Sequence, residues 1–224
     1  MMHQQKGKKI LAYFFILLLF GSINNLKLNT FSLYEIKNIK IFGFNDYENK
    51  IFIEKINNLN LENIFFLNIK ELKNIFNSYN LIETYKIKKK YPSTLHIKIK
   101  KTEFLAQIRK NGKLYLIGSN GKISQNNSLN KNLPYVFGKP NINEFLELKK
   151  FIDQSEFSFD QIENFYFFPS KRWDLELKKK ILLKLPKDNV KNSLNNAFNL
   201  LKENKSKDIK VLDIRIKNQI IIND

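Results

Sequence analysis

The chain has 224 residues, room for one or two small domains. Hydrophobic residues make up 43% of it, which excludes a disordered protein. The formal charge of +18 fits a nucleic-acid-binding protein, but nearly all of it is lysine in a chain rich throughout in Lys, Asn, Ile and Phe. Arginine, whose fork reads bases and phosphates, occurs only at Arg109, Arg172 and Arg215.

There is no cysteine, so no disulfide framework and no thiolate metal site. The two histidines, His3 and His96, lie far apart in the sequence, which argues against a transition-metal site.

In chain order, the first feature is an uncharged run from Ile10 to Leu26, 17 residues (26 − 10 + 1). That is at the short end of what a spanning helix needs. Lys6, Lys8 and Lys9 precede it and Lys27 alone follows closely, a bias that places the N-terminus in the cytoplasm. The rival reading is a cleavable signal peptide, but Gly21 and Ile23 make a poor cleavage pair. Both readings export Lys27–Asp224.

Leu33–Phe42 alternates as a strand, with neither face cleanly apolar, and Gly43-Phe44-Asn45-Asp46 is turn chemistry. Ile51, Phe52, Lys55, Ile56 and Leu59 recur at helical spacing. Asn68 with Glu71 three residues on marks a second helix start. Ile69, Leu72, Ile75, Phe76 and Tyr79 form its stripe. Glu83–Tyr91 and Leu95–Lys101, joined by Pro92-Ser93-Thr94, form a hairpin. Leu95, Ile97 and Ile99 face the core, and His96, Lys98 and Lys100 face water.

This β-α-α-β-β order, with "YPSTLHIKIKKTEFLA", resembles the POTRA domain of the FtsQ/DivIB cell-division family. Pro92, Thr94, Leu95, Ile97, Ile99, Glu103 and Ala106 fit the family's hairpin pattern, and Phe104 departs from it where a proline is usual.

Beyond it, Phe104–Arg109 and Lys113–Ile117 flank Asn111-Gly112, the strongest short-range hairpin signal, and Asn120-Gly121 repeats the device. Gly118 stands where the family has Asp. Leu133-Pro134-Tyr135-Val136-Phe137-Gly138 matches its "Leu-Pro-x-hydrophobic-x-Gly". Asn141–Gln154 is amphipathic through Ile142, Phe145, Leu148 and Ile152.

Ile162–Phe168, Lys171–Leu177 and Ile181–Leu185 read as a three-strand meander, turned by Pro169-Ser170 and Lys178-Lys179-Lys180. Trp173, Leu175 and Leu177 point inward there. "RWDLELKKKILLKLP" is similar to a second family block. Asp188–Glu203 is a helix with Val190, Leu194, Ala197, Phe198 and Leu201 on one stripe. The closing run "KVLDIRIKNQIIIND" reads as a last strand, and Asp213-Ile214-Arg215 matches the family's "Asp-hydrophobic-Arg".

Chemistry is scarce. His96 reads as a solvated imidazole on a polar strand face, and Asp160 and Glu163 as exposed loop carboxylates rather than a glycosidase pair. No phosphate-cradling glycine motif occurs among the seven glycines. The Lys88-Lys89-Lys90 run, continued by Lys98 and Lys100, reads as a solvated face. Its sharper reading is contact with anionic lipid head groups. No enzyme activity, cofactor or metal is expected.

The expected fold class is therefore α+β: a single N-terminal transmembrane helix, then a POTRA domain and a C-terminal β-rich domain with flanking helices. The expected divisions are a cytoplasmic tail 1–9, an anchor 10–26, the POTRA domain 27–102 and the C-terminal β-domain 103–224. On the last strand, Val211, Asp213 and Arg215 would share one face, and Leu212, Ile214 and Ile216 the core face. A partner strand would add along these six residues if they form a sheet edge.

The resemblance implies a bitopic inner-membrane scaffold of the division septum, its bulk periplasmic. It also implies recruitment through the POTRA domain and binding of FtsB and FtsL along the last strand, with FtsK and FtsW as further partners. It makes Arg215 the best single contact residue. The competing readings are a basic nucleic-acid-binding protein and, more weakly, an exported cell-wall hydrolase.

Overall fold

A computed structural model describes residues 2–23, 35–59, 61, 63–203, 209–216 and 219–223. The N-terminal helix α1 (Met2–Ile23) holds the apolar run from Ile10 onward, with large side chains exposed along it. No helix among the described residues is long and apolar enough to cross a membrane. The described helix stops at Ile23, so any 18-residue stretch of it takes in Lys6, Lys8 and Lys9. The rest of the uncharged run, to Leu26, lies outside the described residues.

The chain divides into two compact units, Met1–Ser78 with Thr84–Lys100, and Tyr79–Glu83 with Lys101–Asp224. In the first, β1 (Asn38–Phe42), α2 (Asp46–Asn57), α3 (Ile69–Ser78), β2 (Ile82–Lys90) and β3 (Thr94–Lys101) follow in order, with Ile82, Glu83 and Lys101 at the strand ends belonging to the second unit. The sheet order is β1-β3-β2, with β1 parallel to β3 from Asn38↔Thr94 to Phe42↔Lys98.

Gly43, between β1 and α2, has φ +108°, and a Cβ there would sit 1.9 Å from the Ile99 carbonyl oxygen. Only glycine fits that crossing. The expected turn at Asn45 is also a helix cap. Its side chain accepts from the Glu48 amide at 2.8 Å and Glu48 reaches back to the Asn45 amide at 3.0 Å. Such a reciprocal box contributes about 1 kcal/mol. Phe52 and Ile56 of α2, Leu72 and Phe76 of α3, and Leu95 and Ile97 of β3 are fully buried. Phe76 stacks on Tyr85 at 4.6 Å and meets Phe52 at 5.1 Å.

The second unit holds β4 (Phe104–Lys110), β5 (Lys113–Gly118), β6 (Ile123–Asn126), β7 (Tyr135–Phe137), α4 (Ile142–Asp153), β8 (Ile162–Phe167), β9 (Trp173–Leu177), β10 (Leu182–Lys184), α5 (Val190–Glu203), β11 (Val211–Asp213) and β12 (Ile221–Asn223). The last nine strands form one sheet in the order β12-β11-β10-β9-β8-β7-β4-β5-β6. The pairs β4·β7, β7·β8 and β10·β11 are parallel, and the others described are antiparallel.

The core of this unit joins inward-facing strand residues such as Ile108, Phe165, Leu175 and Leu183 to Phe145 and Ile152 of α4 and Leu194 and Ala197 of α5. Asn141 caps α4 and forms a capping box with Glu144.

Gly118, the departure from the family pattern, ends β5 in a crowded polar corner. A Cβ there would lie 2.7 Å from Asn120 Oδ1 and 2.8 Å from Thr102 Oγ1. In the same corner Asn120 Nδ2 donates to the carbonyls of Asn80 and Ile82, both at 2.9 Å. Ser119 Oγ donates to Glu83 at 2.7 Å.

Candidate functional site

The C-terminal run does not form one strand. Pairing stops at Asp213, the chain turns, and Ile221–Asn223 return antiparallel in the register Val211↔Asn223, Leu212↔Ile222 and Asp213↔Ile221. The Gln219 amide donates to the Ile216 carbonyl at 3.2 Å within that turn. β11 therefore has β10 on one flank and β12 on the other, and the sheet edge is β12.

Val211–Ile216 is thus not a single edge strand. Leu212 and Ile214 are core residues as expected, but Ile216 is 56% exposed. The physical reason is the polar break Lys217-Asn218-Gln219, which separates two short β-branched runs.

The true edge is short and apolar. Ile220, Ile221 and Ile222 are all exposed large hydrophobic residues, and Ile216 lies across the turn from them. Isolated exposed isoleucines are ordinary, but a run of three beside an open ladder resembles a strand-binding surface.

Charge is arranged in register inward from this edge. Asp174, Lys184 and Asp213 lie opposite one another on β9, β10 and β11. Arg215 Nε donates to Asp213 Oδ1 at 2.8 Å and Oδ2 at 3.0 Å, and the Arg215 amide donates to Oδ1 at 3.2 Å. These bonds hold the Asp213 carboxyl below its ordinary range, with Lys184 adding to the effect. They raise the Arg215 guanidinium above its own.

Asp174 is nearly buried, and burial pushes its carboxyl up. Arg172 Nε, donating at 3.1 Å, opposes this, followed by Lys184 and Arg215. One row further, Glu176 accepts from Asn164 Nδ2 and from the Tyr166 hydroxyl, each at 2.8 Å. Burial first, then Glu176, pushes the Tyr166 phenol up to about 12. The Asn164 bond leads in holding Glu176 low.

The weaker chemical candidates separate. Asp160 accepts from the Ser158 hydroxyl, the main reason its carboxyl is lowered. Glu163 instead accepts from Lys180 Nζ at 2.9 Å. His96 sits on the open face of the first unit's sheet, edge-on to Phe42 at 5.7 Å. Among the described residues no group of three or more His, Asp or Glu is placed to hold a metal ion. The arrangement offers surfaces and paired charges rather than a poised acid, base or nucleophile.

Two family models match the chain: "POTRA domain, FtsQ-type" over residues 34–101 and "Cell division protein FtsQ/DivIB, C-terminal" over residues 106–215. The chain belongs to the FtsQ/DivIB family. Its similarity to the cell division protein FtsQ of Rickettsia bellii is 28% identity over 192 residues, 84% of this chain and 72% of that protein. FtsQ of Rickettsia conorii is 28% identical over 196 residues, with the same coverage.

A solved extracytoplasmic domain of DivIB from Geobacillus stearothermophilus is similar with a TM-score of 0.35 and 8% identity. That match covers 46% of this chain and 94% of that one. It is too slight to support an argument.

The resemblance read from the hairpin and strand motifs is borne out. The chain is an FtsQ/DivIB protein with a POTRA domain and a C-terminal β-rich domain, in a mixed α+β fold. FtsQ/DivIB proteins act at the division site, and the family is one of scaffolds rather than enzymes.

Proposed function

We propose that this FtsQ/DivIB protein is a non-enzymatic, single-pass membrane scaffold of the division machinery. In this reading residues 1–9 are cytoplasmic and Ile10–Leu26 span the inner membrane. Residues 27–102 form the septum-recruiting POTRA domain, and 103–224 form the partner-binding domain in the periplasm. The uncharged run and the lysines before it support the topology.

The partner is FtsB, with FtsL, and it binds by adding a strand to β12. The observation that carries this is the sheet order, which leaves β12 outermost with Ile220, Ile221 and Ile222 exposed. Within Val211–Ile216, Leu212 and Ile214 act by fixing β11 in the core, and Val211 by pairing with Asn223. Asp213, Arg215 and Ile216 lie beside the edge, where the Asp213–Arg215 pair sets charge preference and register for the incoming strand. FtsK and FtsW are further partners by family resemblance.

The test is capture of purified FtsB–FtsL by the full chain in detergent. Ile220→Asp/Ile222→Asp is expected to abolish capture while the melting curve and membrane fractionation stay as in the wild type. Undiminished capture by this variant contradicts strand addition at β12.

A further inference from the structure

One end of the POTRA domain gathers aromatic and basic groups that the division-scaffold reading does not use. Phe65 is 50%, Phe66 67% and Tyr91 56% exposed. Phe65 and Tyr91 stack at 4.8 Å although they are far apart in sequence. Lys89 Nζ donates to the Phe65 carbonyl at 3.1 Å, and Lys90 ends β2 next to Tyr91.

The chain enters the domain at this same end. Glu35 bridges to Asn63, and the Lys37 amide donates to the Ser93 carbonyl at 2.9 Å. Glu35 is an opposing charge here, against Lys37, Lys89 and Lys90. Behind these groups the open face of the sheet carries exposed Lys40 on β1, Lys86, Lys88 and Lys90 on β2, and Lys98 and Lys100 on β3. By strand alternation no Asp or Glu of β1, β2 or β3 shares that face among the described residues.

We propose that this end of the domain docks on the surface of an anionic bilayer, with Phe65, Phe66 and Tyr91 at the head-group boundary and Lys37 and Lys90 against lipid phosphates. The proposal rests on the membrane anchoring proposed above. Three things on the molecule favour a bilayer over another partner.

First, aromatic side chains with lysines beside them match an interface that is apolar below and anionic above. Second, the cationic sheet face lies next to the aromatic cluster, so approach along that face adds charge attraction within a Debye length of about 8–10 Å. Third, Leu26, where the proposed span ends, and Glu35 are 9 residues apart (35 − 26). A fully extended chain of that length reaches at most about 32 Å. A tether that short keeps the surface at roughly millimolar effective concentration, so weak docking is populated.

The chain has no cysteine, so single-cysteine variants of the full protein can carry an environment-sensitive dye. Phe66→Cys reports the proposed end. Tyr47→Cys, at the start of α2 beyond the opposite end of β1, reports an aromatic position at least as exposed. Both are reconstituted into phosphatidylcholine vesicles with and without phosphatidylglycerol, and quenching by nitroxide-head-group lipid is read.

The expected result is quenching at position 66 more than about twofold that at position 47, and only with phosphatidylglycerol. Lys37→Gln and Lys90→Gln should each weaken docking about fivefold, the worth of one lysine near an anionic surface. Equal quenching at the two positions, or quenching at 66 indifferent to phosphatidylglycerol, overturns the proposal. So does a dye at 66 that ignores vesicles and shifts with a single-stranded oligonucleotide, which assigns the lysines to nucleic acid. Flotation of the full chain after carbonate washing separates the two readings. A chain that washes off refutes the anchor and overturns the docking that rests on it. A chain that floats without quenching at 66 refutes the docking alone.

Discussion

The two ends of the nine-stranded sheet are built differently. β6 is Ile-Ser-Gln-Asn, and its neighbours close it off. Asn80 Nδ2 donates to the Ile123 carbonyl at 2.8 Å, and Asn126 folds its amide onto the Ser128 carbonyl at 2.6 Å. β12 is Ile-Ile-Asn, all exposed, with a third isoleucine just before it. Proteins guard edges with polar residues, side-chain bonds and short strands to prevent unwanted pairing. The β6 edge has such guards, whereas β12 is short but apolar, which suits an edge kept for pairing.

The largest expected effect comes from undermining β12 from behind. Leu212 is fully buried in the core cluster, so Leu212→Ala should cost about 2–5 kcal/mol and lower the melting temperature, taking partner capture with it. Ile123→Ala, partly buried on β6, should cost less in the same melt and spare capture.

The next effect separates binding from folding. Adjacent backbone amides on a strand point to opposite sides, so one of Ile221→Pro and Ile222→Pro removes an amide aimed away from β11. That variant should lose partner affinity by about tenfold or more with an unchanged melt. Gln125→Pro on β6 should leave affinity unchanged.

Smaller effects concern the charged and phenolic rows. Tyr166→Phe loses one hydrogen bond to Glu176 and should cost about 1 kcal/mol by denaturant melt. Because the folded phenol is pushed up to about 12, above its ordinary 10.0, its stabilisation is complete below pH 10 and fades as pH rises toward 12. An ultraviolet titration difference between wild type and Tyr166→Phe reads this directly.

Asp213 works in the opposite sense. Its carboxyl is lowered in the folded state, so its contribution is present above the ordinary carboxylate range and lost as pH falls through the folded value. Arg215→Glu should raise the Asp213 midpoint in a carboxylate-detected NMR titration and shift the acid unfolding midpoint upward.

Much of this was legible in the sequence because local patterns carried it. Leu95, Ile97 and Ile99 turned inward as their alternation requires, and Asn111-Gly112 made its hairpin with both residues at positive φ. The helix stripes of α4 and α5 buried Phe145, Leu148, Ile152, Leu194 and Ala197.

The Asn45–Glu48 capping box carried a readable signal, but the turn at Gly43 and Asn45 masked it. Long-range pairing had no local signal. Nothing in Tyr135-Val136-Phe137 states that a three-residue strand will lie parallel to both β4 and β8. At the C-terminus, two short β-branched runs read as one strand. The clue was the polar Lys217-Asn218-Gln219 between them, and missing it moved the candidate edge inward by one strand.

Amide hydrogen exchange of the full chain, with and without purified FtsB–FtsL, tests the β12 edge most directly. Strand addition requires slower exchange at Ile221–Asn223 on adding the partner, with the β6 amides of Ile123–Asn126 unchanged. Partner-dependent protection confined to β6 or to the POTRA domain, with β12 unaltered, would contradict it.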